Sequence, residues 1–325
     1  VRLLDGISVA EINVNLTAQL DITTRLELMA NAGSSFQGPV RVGDFDVSLD
    51  DALELLAYTN PHGRPNSDVL RPTLNGTDNT KRSRERWVID FEKRPLNEAA
   101  LYERPFELVK SVVKPLRDKS NDEQRKRNWW LHGRSGDEIR AATSRAPRFL
   151  AMAQTAKFIL SRWHQTETSP EQTLIVFARA DDYFFGMVHS RIHQLWSLGQ
   201  GTQLREKESG FRYTPTTCFE TFPFPFLDDL RSPETAPELL VTSEPTAACR
   251  SRRKEARKEA QTPPSLSSQS LVTSTPTALR AAIATAAKEL NELRERWLNP
   301  PEWTETRVLE FPGTVGGPWD RYLDK

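Results

Sequence analysis

The run Phe219-Glu220-Thr221-Phe222-Pro223-Phe224-Pro225-Phe226 limits this chain more than any other segment does. Pro223 and Pro225 remove backbone donors at alternate positions, so the run forms neither a helix nor a central strand. Its phenylalanines must still leave water, and the segment is expected to close a folded body by packing its rings into it. From about Asp228 to Thr275 the sequence turns to Pro, Ser, Thr and Glu, with a basic burst from Arg250 to Lys258. That is the composition of a linker or disordered insertion. The chain therefore divides near residue 227.

A chain of 325 residues is long enough for two or three domains with sizeable cores. It carries 44 basic and 44 acidic residues, so no global excess of charge points to nucleic acid. Any polyanion-binding face has to come from segregation of charge along the chain. Cys218 and Cys249 form neither a disulfide framework nor a zinc site by themselves, which fits a reducing cytoplasm. No apolar stretch approaches the roughly 20 residues of a membrane span. No signal peptide is visible, and the opening on Val1 rather than Met is read as the start of a fragment.

Residues 1–33 read as a strand, Ile7 to Val9, then a helix through Leu16, Leu20 and Leu26, too little to bury a core alone. A strand from Val40 to Val47 precedes a helix announced by Ser48 with Asp51 three residues on, a capping-box spacing. Leu49, Leu53 and Leu56 supply its stripe, and Asn60-Pro61-His62-Gly63 stops it. Asn75-Gly76 and Lys81 to Arg86 read as loop, and Trp87 to Phe91 alternates like a strand. From Asn97 to about His164 the pattern is helical, interrupted at Pro105, Pro115 and Pro147. Leu174 to Phe177 suits a buried strand, and Tyr183 to Leu198 a helix. After the linker, Thr275 caps a helix with Pro276 at its first position. Its apolar stripe is Leu279, Ile283, Ala286, Leu290, Leu293 and Trp297, expected to pack on another helix. The fold class expected is α+β.

Basic residues gather with aromatics in three stretches. Lys81, Arg82, Arg84, Arg86, Lys93 and Arg94 outnumber Glu85, Asp90 and Glu92. Lys114, Arg117, Lys119, Arg125, Lys126, Arg127 and Arg134 outnumber Asp118, Asp122 and Glu123, with Trp129-Trp130 inside the cluster. From Ile139 through Thr166 there is no acid at all, while Arg140, Arg145, Arg148, Lys157 and Arg162 are present. DNA carries about one negative charge per 1.7 Å, so such density favours phosphate contact. Arginine also reads guanine through paired hydrogen bonds. A solvated helical surface explains the same charge runs without a ligand.

Other constellations lack part of their chemistry. Asn299-Pro300-Pro301-Glu302 imitates the Asn-Pro-Pro-aromatic motif of amino methyltransferases, but Glu302 cannot stack on a base, and Asn-Pro-Pro after a helix is ordinary stop chemistry. His189 and His193 have zinc-peptidase spacing on one helical face, yet Ser190 stands where the glutamate base belongs. Asp90, Glu92 and Lys93 have the wrong spacing for a magnesium nuclease, and Asp181-Asp182 lacks its lysine. No glycine-rich turn after a first strand, with an acid after the second, offers a place for S-adenosylmethionine. No catalytic, cofactor-binding or metal-binding residue is therefore assigned.

Several short segments, in this order, resemble the target-recognition region of MmeI-like DNA adenine methyltransferases, the fused restriction–modification type. They are Phe36-Gln37-Gly38; Val69-Leu70-Arg71-Pro72 with Leu74-Asn75-Gly76; Arg86 to Phe91; and Val113-Lys114-Pro115-Leu116-Arg117. Trp129-Trp130, His193-Gln194-Leu195-Trp196, Arg212-Tyr213-Thr214 and Phe222-Pro223-Phe224-Pro225 complete the series, and Leu293 to Trp303 resembles the start of the family's carboxy-terminal helical region. The resemblance implies four parts: residues 1–33, the tail of an absent methyltransferase catalytic domain; 34–227, a DNA target-recognition domain; 228–275, a flexible linker; and 276–325, an incomplete helical region. It implies a double-stranded DNA partner and an S-adenosylmethionine-dependent adenine-N6 methyltransferase whose cofactor site lies outside this chain. Arg82, Arg84, Arg86, Arg117, Arg125, Lys126, Arg127 and Arg134 are the expected contacts to phosphate or bases. The alternative is a non-catalytic specificity subunit acting with a separate methyltransferase or nuclease.

Overall fold

The computed structural model describes residues 2–10, 12, 25–203, 210–225, 274–309 and 319–324. Contacts group Val1–Pro223 with Ala281–Lys325 in one unit and Phe224–Arg280 in a second. The first unit mixes helices with several sheets and is of the α+β class.

A hairpin opens the chain: β1 (Arg2–Leu4) pairs antiparallel with β2 (Ile7–Val9) across Asp5 and Gly6, both at positive φ. That is the turn whose twist suits a two-residue hairpin loop. The helix expected through Leu16 and Leu20 lies outside the described residues, and Leu26 is exposed. After β3 (Ser35–Gln37), only Asp46–Val47, here β4, is strand in the segment expected to be extended from Val40. Val40 keeps a single bridge to Arg134, and Val42 sits at φ 54°, which breaks the extended run. Helix α1 (Leu49–Ala57) starts where its capping signal lies: Ser48 Oγ accepts from the Asp51 N–H at 3.1 Å.

Strand β5 (Leu70–Leu74) leads into α2 (Gly76–Thr80). Asn75 was expected in a loop, but its side chain accepts from the N–H groups of Thr77 and Asp78, while Asp78 accepts from the Asn75 N–H. These local bonds turn the loop signal into a helix start. Strand β6 (Trp87–Ile89) follows, and Trp87 through Phe91 are all buried rather than alternating. Then come α3 (Leu96–Ala99), α4 (Glu103–Val112), α5 (Lys114–Asp118), α6 (Glu123–Arg127) and α7 (Asp137–Thr143).

The helical expectation fails beyond Pro147. Strands β7 (Arg148–Ala153), β8 (Thr155–Ala156) and β9 (Ser161–Gln165) occupy that stretch. Leu150, Ala151 and Met152 favour helix intrinsically, but β7 is paired on both sides, and tertiary pairing overrides so weak a preference. After β10 (Ser169–Pro170) and the wholly buried β11 (Leu174–Phe177), the expected single helix is two, α8 (Asp182–Val188) and α9 (Arg191–Gln200). Ser190 adopts extended backbone and caps α9 by accepting from the His193 N–H at 3.2 Å. Strands β12 (Thr202–Gln203) and β13 (Phe211–Arg212) precede the aromatic run. Helix α10 (Ser274–Leu298) and the antiparallel ribbon of β14 (Thr304–Leu309) with β15 (Trp319–Asp324) end the described chain. Thr275 lies within α10 rather than at its cap, a shift of the size by which helix ends vary. Residues 228–273 of the expected linker lie outside the described residues.

Two four-stranded sheets organise the first unit. In the order β10-β5-β6-β4, only the β10–β5 pairing is parallel; the order β3-β11-β7-β9 is antiparallel throughout. One core joins Phe45, Leu56, Trp87, Ile89, Phe91, Tyr102, Phe106, Trp129 and Trp130, uniting the first sheet with α1 and α4. Trp129-Trp130 is thus core, and Trp130 Nε1 donates to the Arg94 carbonyl at 2.9 Å. Around Phe177 the closing segment behaves as its composition demands: Phe219 packs 4.9 Å from the Phe177 ring, and Phe222 and Phe224 are buried. Asn31 locks that segment by donating to the carbonyls of Phe219 and Phe222. Gly38 is required where β3 ends, because a Cβ there would meet the Glu171 carbonyl oxygen at 2.0 Å.

Candidate nucleic-acid interface

The expected cations fall in two groups. Arg82, Arg84 and Arg86 follow α2 and approach β6. Arg82 and Arg86 line a cavity of about 320 Å³ together with Thr73, Asp78, Glu85, Trp163, His164, Asn291 and Glu295. Arg84 is half exposed and donates Nε to Asp78 at 3.0 Å; that hydrogen bond holds its guanidinium still more firmly charged. Arg86 meets Asp46 at 3.0 Å, the carboxylate that also receives buried Arg41. Arg41 reaches Thr73 Oγ1 as well, and burial lowers its pKa against the attraction of Asp46.

The second group surrounds the turn after Arg41. Arg117, in α5, is 3% exposed, and its guanidinium serves three carbonyls: Val42 at 2.8 Å, Arg41 at 2.9 Å and Leu131 at 3.0 Å. Desolvation lowers its pKa. It clamps a strained loop, because a β-branched residue such as Val42 rarely accepts positive φ. Gly133 permits the arrangement: a Cβ there would meet Val42 Cγ2 at 2.7 Å. Arg134 is exposed and donates to the Gly38 carbonyl at 2.7 Å. In α6, Arg125 pairs with Asp122 at 3.0 Å and Lys126 with Glu123 at 2.7 Å, both within one turn. Arg127, the last residue of that helix, is exposed and makes no ion pair among the described residues.

The acid-free stretch from Ile139 to Thr166 draws its partners from elsewhere in the chain. Arg140 meets buried Asp90 at 2.9 Å, Arg148 meets Asp182 at 2.8 Å, and Arg162 forms a two-pronged pair with Glu295 at 2.7 and 2.8 Å. No local spacing signals a pair that spans the chain from β9 to α10. Arg148 also lies over the Trp163 ring at 4.0 Å. Glu92 joins Arg71 at 2.9 Å and Arg94 at 3.3 Å, and Lys93 pairs with Asp137, so these acids hold structure together.

The histidine pair does not share a helical face. His189 closes α8 with Nδ1 3.3 Å from Ser161 Oγ, whereas His193 is buried in α9 between the Val188 carbonyl at 2.8 Å and the Tyr213 hydroxyl at 3.1 Å. Ser190, capping the second helix, breaks the register that their spacing suggested. Burial lowers the His193 pKa to about 4. Among the described residues no cluster of His, Cys, Asp or Glu could hold a metal ion. Asn299 donates to Glu295 at 3.2 Å and the Pro300 carbonyl accepts from Thr304, so Asn-Pro-Pro ends α10.

No described helix is long and apolar enough to cross a membrane. Comparison with known proteins gives two matches. A family model described as "MmeI, target recognition domain" matches residues 47–226. Among solved structures, the chain is similar to the type IIL restriction–modification enzyme MmeI in complex with DNA, with a TM-score of 0.51 and 19% identity. That likeness covers 67% of this chain and 29% of the enzyme's, so this chain spans less than a third of its length. No curated protein matches the sequence.

Proposed function

The chain belongs to the MmeI target recognition domain family, and from that membership we propose that it reads base sequence in duplex DNA for a restriction–modification enzyme. The observation that carries this reading is the extent of the matched region. It runs from β4 to the closing aromatic run and holds both groups of cations. On this reading Arg125, Lys126, Arg127, Arg134 and Arg84 contact phosphates and set register, Arg82 and Arg86 approach base edges beside their cavity, and Arg117 holds the loop between the two groups.

The chemistry served is transfer of a methyl group to adenine N6, carried out by a methyltransferase in another part of the polypeptide or in a separate subunit. S-adenosylmethionine supplies the methyl group. The chain then works in the cytoplasm, where such enzymes meet DNA.

Selection of bound duplexes from a randomised pool tests the reading. One short sequence should be enriched. A pool that stays random while binding persists would reduce the chain to a non-specific polyanion binder. Addition of labelled S-adenosylmethionine to this chain alone should give no methylated DNA, and incorporation above background would contradict the assignment of catalysis elsewhere.

A further inference from the structure

Between α2 and the connection from β8 to β9 lies a cleft of about 520 Å³ that includes none of the cations discussed above. Two walls build it. On one side α2 is held by its capping box and by the Gly76 N–H, which donates to Thr173 Oγ1 at 3.0 Å; this wall presents Thr77 and Lys81. On the other, β8 is paired with β13, and Gly210 at φ 84° lets the two backbones meet. A Cβ on Gly210 would lie 2.6 Å from the Ala156 carbonyl oxygen. This second wall presents Thr155, Lys157 and Phe158. At about 30 Å³ per water, the space is far larger than one small ion fills.

Charge sets this cleft apart. Arg86, Arg140, Arg148 and Arg162 each meet a carboxylate. Lys81 and Lys157 are exposed, and among the described residues neither makes an ion pair and no carboxylate lines the cleft. Arg212, exposed on β13, stands opposite Thr155 in the register, so its side chain shares that face of the sheet. Phe158 is 59% exposed beside these cations, with Lys157 Nζ 5.8 Å from its ring centre. The cleft also adjoins a cation already described: Gln37 accepts from Arg134 at 3.4 Å and donates to Gln154, in the cleft, at 3.3 Å. We propose that the cleft holds the sugar–phosphate backbone of one DNA strand. Lys81 and Lys157 each meet a phosphate, the Thr77 and Thr155 hydroxyls donate to the same strand, and Phe158 packs on a sugar or base at its edge. This assignment rests on the duplex binding proposed above and extends it to residues outside the arginine clusters.

Fluorescence anisotropy with a mixed-sequence duplex, titrated with salt, tests the cleft, because phosphate contacts carry no base sequence. All three side chains are exposed, so Lys81→Ala, Lys157→Ala and Phe158→Ala should keep the parent's thermal midpoint. Each lysine change should reduce the logarithmic salt slope by about one ion. Phe158→Ala should weaken binding about tenfold and leave the slope as it was. In acetic anhydride labelling of the full chain, bound duplex should protect Lys81 and Lys157. A slope unmoved by the lysine changes, a Phe158→Ala variant that binds like the parent, or full labelling in the complex would overturn the assignment. Duplex binding would then stand on the arginine groups alone. No binding at any salt would remove that parent reading and the cleft together. Protection by polyglutamate rather than by duplex would also overturn it and give the cleft to an acidic protein.

Discussion

Arg117 and Arg127 belong to one basic stretch and use the same charge in opposite ways. Arg117 turns inward to three carbonyls and holds Val42 in its strained conformation, whereas Arg127 ends α6 in solvent. Arg117→Ala would leave buried acceptors unsatisfied and should cost about 3 kcal/mol or more, read as a lower denaturant midpoint. Arg127→Ala should change stability by less than about 0.5 kcal/mol and reduce the salt dependence of DNA binding by about one ion. An Arg117 variant as stable as the parent would refute the clamp. Residue identity gave the charge of both, but burial is a property of the partner segments at Arg41 and Leu131, so sequence could not separate them. Local signals did better: the Ser48 cap needs only its own next turn, and it stands where the residues placed it.

At the scale of elements, the strands from β7 to β9 and the orientation of α10 were illegible for related reasons. Leu150 to Met152 carry helix-favouring side chains, and what makes them a strand is β9 and β11 on either side. In α10 only the first part of the hydrophobic stripe packs inward, Ile283 with Ala287 against Gly186, while Leu290, Leu293 and Trp297 stay exposed and ions hold the inward face farther along. Arg162, only 12% exposed, grips Glu295 with two nitrogens, and Asn299 adds a third donor. Glu295→Ala should therefore destabilise the chain by about 2 kcal/mol, since it strands a largely buried guanidinium. Leu293→Ala, although it removes more apolar surface, should cost the monomer less than about 0.5 kcal/mol. Equal losses in urea unfolding for the two variants would contradict this ionic hold on α10. The buried strand at Leu174 to Phe177 and the ring-packing close at Phe219 to Phe224 were legible, because hydrophobicity and proline chemistry leave them few alternatives.

For the molecule as a whole, burial sets an acid limit. His132, His164, His189 and His193 are each held below the ordinary imidazole value, in every case first by desolvation. A base whose folded pKa is lowered stays neutral while the unfolded chain takes up the proton. Stability is therefore complete above the unfolded value and falls as pH drops below it. For His193 the loss runs from 6.5 down to about 4, at a slope approaching about 1.4 kcal/mol per pH unit. Urea midpoints should fall steadily from about pH 7 to about pH 5, and a flat profile would contradict the burial of these rings.

Charge at this scale was only half legible. The sequence located the basic stretches, but carboxylates distant in the chain engage Arg86, Arg140, Arg148 and Arg162. The cations that remain toward solvent around α6 and Arg134 form the face on which the proposed DNA recognition rests. Fluorescence anisotropy of a selected duplex, titrated between about 50 and 200 mM salt, measures it directly. Affinity should fall linearly on logarithmic axes, with a shallower slope once Arg127 and Arg134 are replaced by alanine. An affinity indifferent to salt, or a slope the double variant leaves unchanged, would contradict it.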